Sequence, residues 1–349
     1  MRITQNFTNR MYLKYNNRLL GDLNRSMKKI ESRKAFFRAS EDSINANRTL
    51  AVRRGLRNLD MYDDNLTTAK NIYQSAETGY YTLAHDVYIE ASVKLEAACN
   101  DSYSADDRAI YANELRQFAE SAVETLNAAF TERQIYAGTN NSKAPFEAVK
   151  NADGSTTVKY NGVPVDEITE VQNGSEFMYL DSNGKEVPGT KPIYVDIGIG
   201  IEYDAEYNVK PQTAADISIN GAAATGCGER ETNENGDSFS LNFIQLLYDT
   251  ADALQKNDVA YANAAIDKLC TARGKVLNAI TNLGMEQNSM DFYIDRNADY
   301  RITLQERQNE VEGIDMEEEI VNMSTTEAVY NAVLQMSSKV IPTSIFDFI

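Results

Sequence analysis

Proline is absent between Met1 and Ala144. The six prolines begin at Pro145, and five of them fall between that position and Pro211. Glycine is nearly as scarce from Ser43 to Cys99, where Gly55 and Gly79 are the two present, so nothing there forces a helix to break. Tryptophan is missing altogether, and there is one histidine, His85. An HExxH zinc site needs two histidines, and His85, read below as a solvated residue facing away from the helix seam, gives no support to a Ser-His-Asp or Cys-His relay. The three cysteines, Cys99, Cys227 and Cys270, are odd in number and match no metal-ligand spacing, so they are read as incidental. No window approaches 18 consecutive apolar residues, so no segment is expected to insert in a membrane. The opening MRITQNFTNRMYLKYNN has no continuous apolar run, and no cleaved signal peptide is expected. Cationic side chains are outnumbered, 34 Lys and Arg against 52 Asp and Glu for a net charge of −18, which argues against a general nucleic-acid binder.

What the chain does contain is a heptad. Val52, Leu59, Leu66, Tyr73, Tyr80 and Val87 recur every seven residues, with Tyr62, Ala69, Ala76 and Leu83 three places on from Leu59, Leu66, Tyr73 and Tyr80. From Leu59 to Val87 the spacing is an unbroken 3-4-3-4 seam. A helix of about 55 residues, Ser43 to Cys99, would be roughly 80 Å long. A compact sphere of the whole chain would be about 50 Å across. The expected molecule is therefore a rod. His85 takes position f of this heptad and is read as a solvated surface residue.

A first helix is predicted over Thr8 to Glu31, with Met11, Tyr15, Leu19, Leu23, Met27 and Ile30 in a stripe that winds slowly round it. Residues 32–43 interrupt the pattern, and Ser40, Asp42 or Ser43 is the expected cap of the long helix. Ser104 followed by Asp107 resembles a capping box for a returning helix over about Ala105 to Gln134. From about Lys150 to Asp237 the chain alternates instead. Ile193, Val195, Ile197, Ile199 and Ile201 keep period two, and turns are signalled at Asp153-Gly154, Asn161-Gly162, Asn183-Gly184 and Asn220-Gly221. Helix resumes near Ser238, and a second long helix runs from about Val259 to Val311. Its seam is Leu269, Val276, Leu283, Met290, Leu304 and Val311, interrupted once by Asn297, and it can pair with the seam of Val52 to Val87. After Gly313 a last helix carries Ile320, Met323, Tyr330, Leu334 and Ile341, beside a second row of Val329, Val333, Met336 and Val340. The chain finishes in an apolar run that includes Phe346 and Phe348.

The fold class expected from these patterns is mainly α with a β insertion. It takes the form of an elongated antiparallel coiled-coil rod with the N- and C-terminal helices nested outside the long ones. The predicted divisions are a terminal helical domain (1–42 and 312–349), a long-helix rod (43–149 and 238–311) and a β-rich insertion (150–237). The first 60 residues carry fourteen Lys and Arg against five acids, +9, while residues 301–349 carry three against nine, −6, so the two ends are complementary. Pairing of the basic first helix with the acidic last helix in the assembled tube is predicted, for example Arg18, Arg25 and Lys28 against Glu312, Glu317 and Glu319. The apolar positions of the two terminal helices, together with Phe346 and Phe348, are the candidate subunit interface. Glu317, Glu318 and Glu319 otherwise read as a solvated charge run, and Gly198-Ile-Gly200 lacks the following helix a phosphate loop requires. No catalytic residue, metal or cofactor is expected, and the chain is read as not an enzyme.

The run Arg33-Lys-Ala-Phe-Phe-Arg-Ala-Ser-Glu-Asp42, the Ser104-Ala-Asp-Asp-Arg108 element, Tyr136-Ala-Gly-Thr139 and Leu283-Gly-Met-Glu-Gln-Asn288 resemble the flagellin superfamily. The ending, Glu327-Ala-Val-Tyr-Asn-Ala-Val-Leu334 with Ser344-Ile-Phe-Asp-Phe-Ile349, looks most like the hook-associated protein 3 branch, which joins hook to filament. The resemblance covers roughly 1–146 and 238–349 and leaves the β insertion out. It implies an extracellular structural subunit of the bacterial flagellum, a homo-oligomer that meets the hook-side junction protein and flagellin. It further implies export through the flagellar type III apparatus, an export chaperone, terminal helices in the inner tube and the insertion outside. Filament flagellin is the alternative within the family, and an exported adhesin working through residues 150–237 the alternative outside it.

Overall fold

The computed structural model describes residues 5–130, 133–140, 143–173, 176–210, 213–233 and 236–340. They fall into two compact units, Asp60–Asn297 and the pair Met1–Leu59 with Ala298–Ile349.

The larger unit contains the second part of α2 (Ser43–Tyr81), a π-helical turn (Thr82–Val87), α3 (Tyr88–Ala98), α4 (Ala105–Leu126), the short α5 (Gly221–Thr225), α6 (Phe243–Gln255) and α7 (Val259–Glu312) as far as Asn297. Helices α2 and α7 run antiparallel, tied by Lys70–Asp291 (2.5 Å), Gln287–Glu77 (2.7 Å) and Asn297–Asp63 (3.0 Å). Between them Leu66, Tyr73, Tyr80 and Leu83 are buried with Leu269, Val276 and Met290, while Tyr62 and Leu283 are half-buried. Asn297, at the break in the α7 seam, is 1% exposed. Its amide donates to Asp63 and accepts from Arg296 (2.9 Å), so the polar residue sits in the seam with its hydrogen bonds made.

The heptad of α2 does not continue as a plain α-helix to Val87. Over Thr82–Val87 it widens, and the backbone N–H of Tyr88 donates to Leu83 O and His85 O in place of Ala84 O. The carbonyl of Ala84 accepts from Arg273 Nε of α7 at 2.8 Å, and the guanidinium lies 4.4 Å from the Tyr88 ring centre. A side chain inserted into the helical ladder is a recognised cause of such a bulge. Beyond the turn, the buried residues become Ala84, Val87, Ala91, Leu95 and Ala98, and α3 packs on α4. His85, expected to be solvated, is half-buried with its ring stacked on Tyr81 at 4.2 Å.

Ser104 and Asp107 form the expected capping box of α4 (3.3 and 3.0 Å). The helix ends at Leu126, short of the predicted Gln134, because Ala129–Phe130 (β1) and Arg133–Gln134 (β2) pair as a ribbon. Along α4 the buried positions Ala112, Leu115, Ala119, Ala122 and Leu126 are mostly alanine, which lets α6 approach closely. Arg108 at the start of α4 is buried and donates to Ala98 O (3.1 Å), Asn100 O (3.2 Å) and Asn257 Oδ1 (2.7 Å), clamping the α3–α4 and α6–α7 turns together.

The β elements are small antiparallel ribbons. Strands β3 (Phe146–Lys150), β4 (Thr156–Tyr160) and β5 (Val163–Pro164) form a three-stranded sheet; β6 (Thr169–Asn173) pairs with β7 (Glu176–Leu180), β8 (Tyr194–Asp196) with β9 (Ala214–Asp216), and β10 (Glu231–Thr232) with β11 (Ser238–Phe239). Two helix-borne amides stand in for missing strand neighbours. Gln245 of α6, 3% exposed, donates to Thr156 O (2.8 Å) and accepts from Val158 N (2.7 Å); Asn127 treats Phe146 in the same way (2.8 and 2.9 Å). The expected limits of the insertion at Lys150 and Asp237 therefore lie inside a unit with one continuous core, in which Phe146, Val158, Tyr160 and Ile168 pack with Leu126, Phe243 and Leu247.

The period-two run Ile193 to Ile201 is not one strand. Gly198 (φ 86°) and Gly200 (φ 95°) turn the backbone out of the extended region after Asp196. Ile197 is buried, whereas Ile199 and Ile201 are exposed. Asn161-Gly162 is a two-residue hairpin turn as predicted, with φ 49° and 90°. Asn220-Gly221 instead starts α5, with Asn220 Oδ1 accepting from Ala222 N at 3.0 Å.

Candidate assembly faces of the terminal helices

The smaller unit contains α1 (Gln5–Ser32), α2 up to Leu59, α7 from Ala298, and α8 (Met316–Val340). Its linkers are fixed first. Arg33 takes a left-handed φ of 56° after α1, Lys34 bridges to Gly313, and Ala35 N donates to Glu312 O at 2.8 Å. Of the three expected caps, Asp42 is used, accepting from Asn45 N at 2.9 Å. Arg53 holds Glu312 with two bonds of 2.8 and 2.7 Å. Burial pushes the Glu312 carboxyl up, but the bonds from Arg53 and Gln308 and the charge of Arg53 outweigh it, so it lies below the usual carboxylate range. Val52, Leu59 and Leu304 are buried nearby, and Gly55 leaves room for the Leu304 methyl group, which an added Cβ would approach to 3.0 Å.

Helices α1 and α8 pack antiparallel, linked by Tyr12 Oη to Val333 O (3.1 Å) and by Lys29 to Glu319 (3.4 Å). Apart from Lys29, the half-buried positions described in α1 are Asn9, Tyr12, Asn16, Leu19, Leu23, Ser26 and Ile30, a 3-4 heptad. Those of α8 are Met316, Glu319, Met323, Thr326, Tyr330 and Val333, also a 3-4 heptad. Polar residues on alternate turns hide this seam in the sequence, which is why the spacing-of-four stripe stood out instead. The amide oxygens of Asn9 and Asn16 are buried without a partner among the described residues.

The structure thus divides the predicted interface set. Leu19, Leu23, Ile30, Met323 and Tyr330 lie on the seam between α1 and α8, while Met11, Tyr15, Met27, Ile320 and Leu334 remain exposed. Ile341, Phe346 and Phe348 lie outside the described residues. Two exposed rows flank the α1 seam: Phe7, Met11 and Tyr15 on one side, and Leu13, Leu20 and Met27, spaced by seven, on the other. On α8, Ile320 and Leu334 lie on one flank, and Val329 and Met336 on the other. Leu13 and Leu20 were not singled out from the sequence, although their heptad with Met27 is visible there. Side chains such as Met27 and Met336, 52% and 54% exposed, make these rows far more apolar than a solvated helix surface requires.

Within the chain the charged residues of these helices find nearby partners. Glu319 meets Lys29, Glu312 meets Arg53, Arg25 meets Glu41 (3.5 Å), and Lys28 lies over the Phe37 ring at 4.5 Å. Glu317 and Glu318 stand in the first turn of α8, where the helix dipole favours them, and Asp315 caps it through Glu317 N at 2.9 Å. Among the described residues no group of three or more His, Cys, Asp or Glu is arranged to hold a metal, and no helix is long and apolar enough to cross a membrane. All three cysteines are free thiols, and burial pushes that of Cys227 up to about 11.

The fold of the chain is similar to that of a protein described as flagellar hook-associated. It matches the solved structure of a protein provisionally given that description from Vibrio parahaemolyticus, at a TM-score of 0.55 and 15% identity, over 78% of this chain and 100% of that one. Residues 3–141 match the family model of the bacterial flagellin N-terminal helical region. Other similar structures are FlgL from Bacillus cereus (14% identity, 74% of this chain and 99% of that one, TM-score 0.49) and hook-associated protein-3 from Legionella pneumophila (13%, 75% and 98%, 0.47). Nothing among curated protein sequences matches the chain.

Proposed function

We propose that this chain is a structural subunit of the bacterial flagellum that joins the hook to the flagellin filament as a ring of identical copies. The observation that carries the reading is the α1–α8 pair. One heptad seam of each helix is satisfied within the chain, and apolar rows on both flanks are left open. Two helices with more apolar rows than partners call for further helices beside them, and a ring of the same chain supplies those. The flagellin-type amino-terminal region and the hook-associated fold support the same reading. In it, residues 1–42 and 312–349 are the assembly part, and residues 150–237 face outward. The partners are other copies, the hook-side junction protein and flagellin, with an export chaperone before assembly. The destination is extracellular, by the flagellar type III route, and the role is architectural rather than enzymatic.

The test is to concentrate and seed the purified full-length chain, follow it by sedimentation and electron microscopy, and then offer it isolated hooks and flagellin. Monomers that bind hook ends and then nucleate flagellin are expected. Long filaments of this chain alone would make it a filament flagellin and overturn the proposal.

A further inference from the structure

Two stripes of the smaller unit carry charge that the chain itself does not use. On α2, Leu50, Arg54 and Arg57 fall within about 60° of one another, on the far side of the helix from the buried Val52 and Leu59. On α7, Ile302, Glu306 and Glu310 fall within about 80°, on the far side from the buried Leu304 and half-buried Gln308. All six are exposed, Leu50 and Ile302 at 55% each. Arg53 with Glu312, and Gly55 with Leu304, fix the sides on which the two helices meet. The two stripes therefore point away from each other, on opposite sides of the pair.

Each stripe is of one sign. Residues 43–59 contain Arg48, Arg53, Arg54 and Arg57 and no acid, while Asp299 extends the acidic stripe and Arg307 flanks it, one base against three acids or −2. Like charges three or four residues apart on a helix repel, a cost the single chain bears without return. Arg53 and Glu312, which face the seam, are paired; Arg54, Arg57, Glu306 and Glu310 make no ion pair or side-chain hydrogen bond with any described residue.

Because the stripes lie on opposite sides, one chain cannot bring them together, but two copies side by side can. We infer that the basic α2 stripe of one copy docks on the acidic α7 stripe of the next. Helices α2 and α7 run antiparallel within the chain, and so they do between neighbours of like orientation. Arg57 then stands against Glu306 and Arg54 against Glu310, and Leu50 and Ile302 close the two ends of the charged contact with apolar surface. Two different faces meeting head to tail repeat from copy to copy, the form of contact a ring requires. The inference rests on the proposed side-by-side assembly and gives it a contact separate from α1 and α8.

The experiment uses full-length chain carrying Arg57→Lys, half of it labelled with nitrogen-15, concentrated at low salt and treated with a carbodiimide, which couples an amine to a carboxylate. A peptide joining position 57 to Glu306, with one labelled and one unlabelled half, is expected, and about tenfold less of it in about 0.5 M salt. On isolated hooks, Arg54→Glu with Arg57→Glu should reduce the copies retained about tenfold without changing the far-ultraviolet circular dichroism, and Glu306→Lys with Glu310→Lys in the same chain should restore them. Absence of the mixed-isotope peptide, or position 57 coupled to hook proteins alone, would overturn the inference. So would a reversal on α2 that the reversal on α7 fails to rescue, where the parent chain binds hooks. The mixed-isotope peptide from a chain that does not bind hooks would uphold this contact and remove the hook-joining role instead.

Discussion

Leu115 in α4 and Leu23 in α1 hold comparable places in a 3-4 heptad, yet Leu115 is fully buried and Leu23 half-buried. In the larger unit the α4 seam is covered by α6, α3 and β3, and the amides of Gln245 and Asn127 close the backbone edges. In the smaller unit α1 and α8 cover one row each, and Asn9, Asn16 and Ser26 take seam positions that an apolar residue would fill in a tightly packed pair. The heptad alone specifies that a helix has a partner; the flanking rows specify how many. A two-helix seam with polar interruptions is held weakly without more neighbours.

The sharpest way to break this contrast is truncation. Leu115→Ala should cost about 3 kcal/mol, within the range for a buried leucine, and Leu23→Ala about 1 kcal/mol, both read from chemical denaturation. Equal costs would mean that the two units are packed alike. Gly79 provides the next test, because an added Cβ would lie 1.9 Å from Tyr136 Oη, the group that donates to Ala76 O at 3.0 Å. Gly79→Ala should therefore destabilise by about 1–2 kcal/mol, overpacking outweighing the better helix propensity, whereas the solvent-facing Gly21→Ala in α1 should stabilise by about 1 kcal/mol.

Acid should act on the two units with opposite sign. Asp249 is held between Gln245 and Arg230, and burial pushes its carboxyl up to about 6. A carboxyl raised in the folded state binds its proton before the unfolded chain does, so its contribution favours folding below about pH 4 and is lost as pH rises through 6. Asp249→Asn should remove a dependence of about 3 kcal/mol across that window. Glu312, lowered by Arg53, contributes above the ordinary carboxylate range and loses its effect as pH falls through its folded value. Glu312→Gln should cost about 1–2 kcal/mol at pH 7, and less on acidification. Smallest in stability is Leu20→Ser combined with Met27→Ser on the exposed α1 flank, expected within about 0.5 kcal/mol of the parent in the monomer. Attachment to hook ends should nevertheless be lost, which separates an assembly face from a folding face.

Much of this was readable from residue spacing. The seams of α2 and α7 come from seven-residue recurrences of large apolar side chains, and the Ser104 box and the Asn161-Gly162 turn from local chemistry. The α1–α8 seam was harder to read because Asn16, Ser26 and Thr326 occupy it, and no hydrophobic count registers them. The β region misled for a different reason. Alternation from Ile193 to Ile201 describes side chains, while the backbone at Gly198 and Gly200 decides where the strand stops. The role of Gln245 and Asn127 as strand substitutes depends on tertiary placement and leaves no periodic trace.

The π-helical turn at Thr82–Val87 works as a change of lane. Ahead of it the buried side chains of α2 meet α7, and after it those of α3 meet α4. One extra residue in the turn rotates all of α3 by about 100° without breaking the helix. Removing a single residue between Thr82 and Val87 would therefore swing Ala91, Leu95 and Ala98 off α4 together, and free Arg273 from the carbonyl it occupies. A long helix that must serve two neighbours in succession can do so by one miscounted turn, and the arginine opposite keeps the miscount in place.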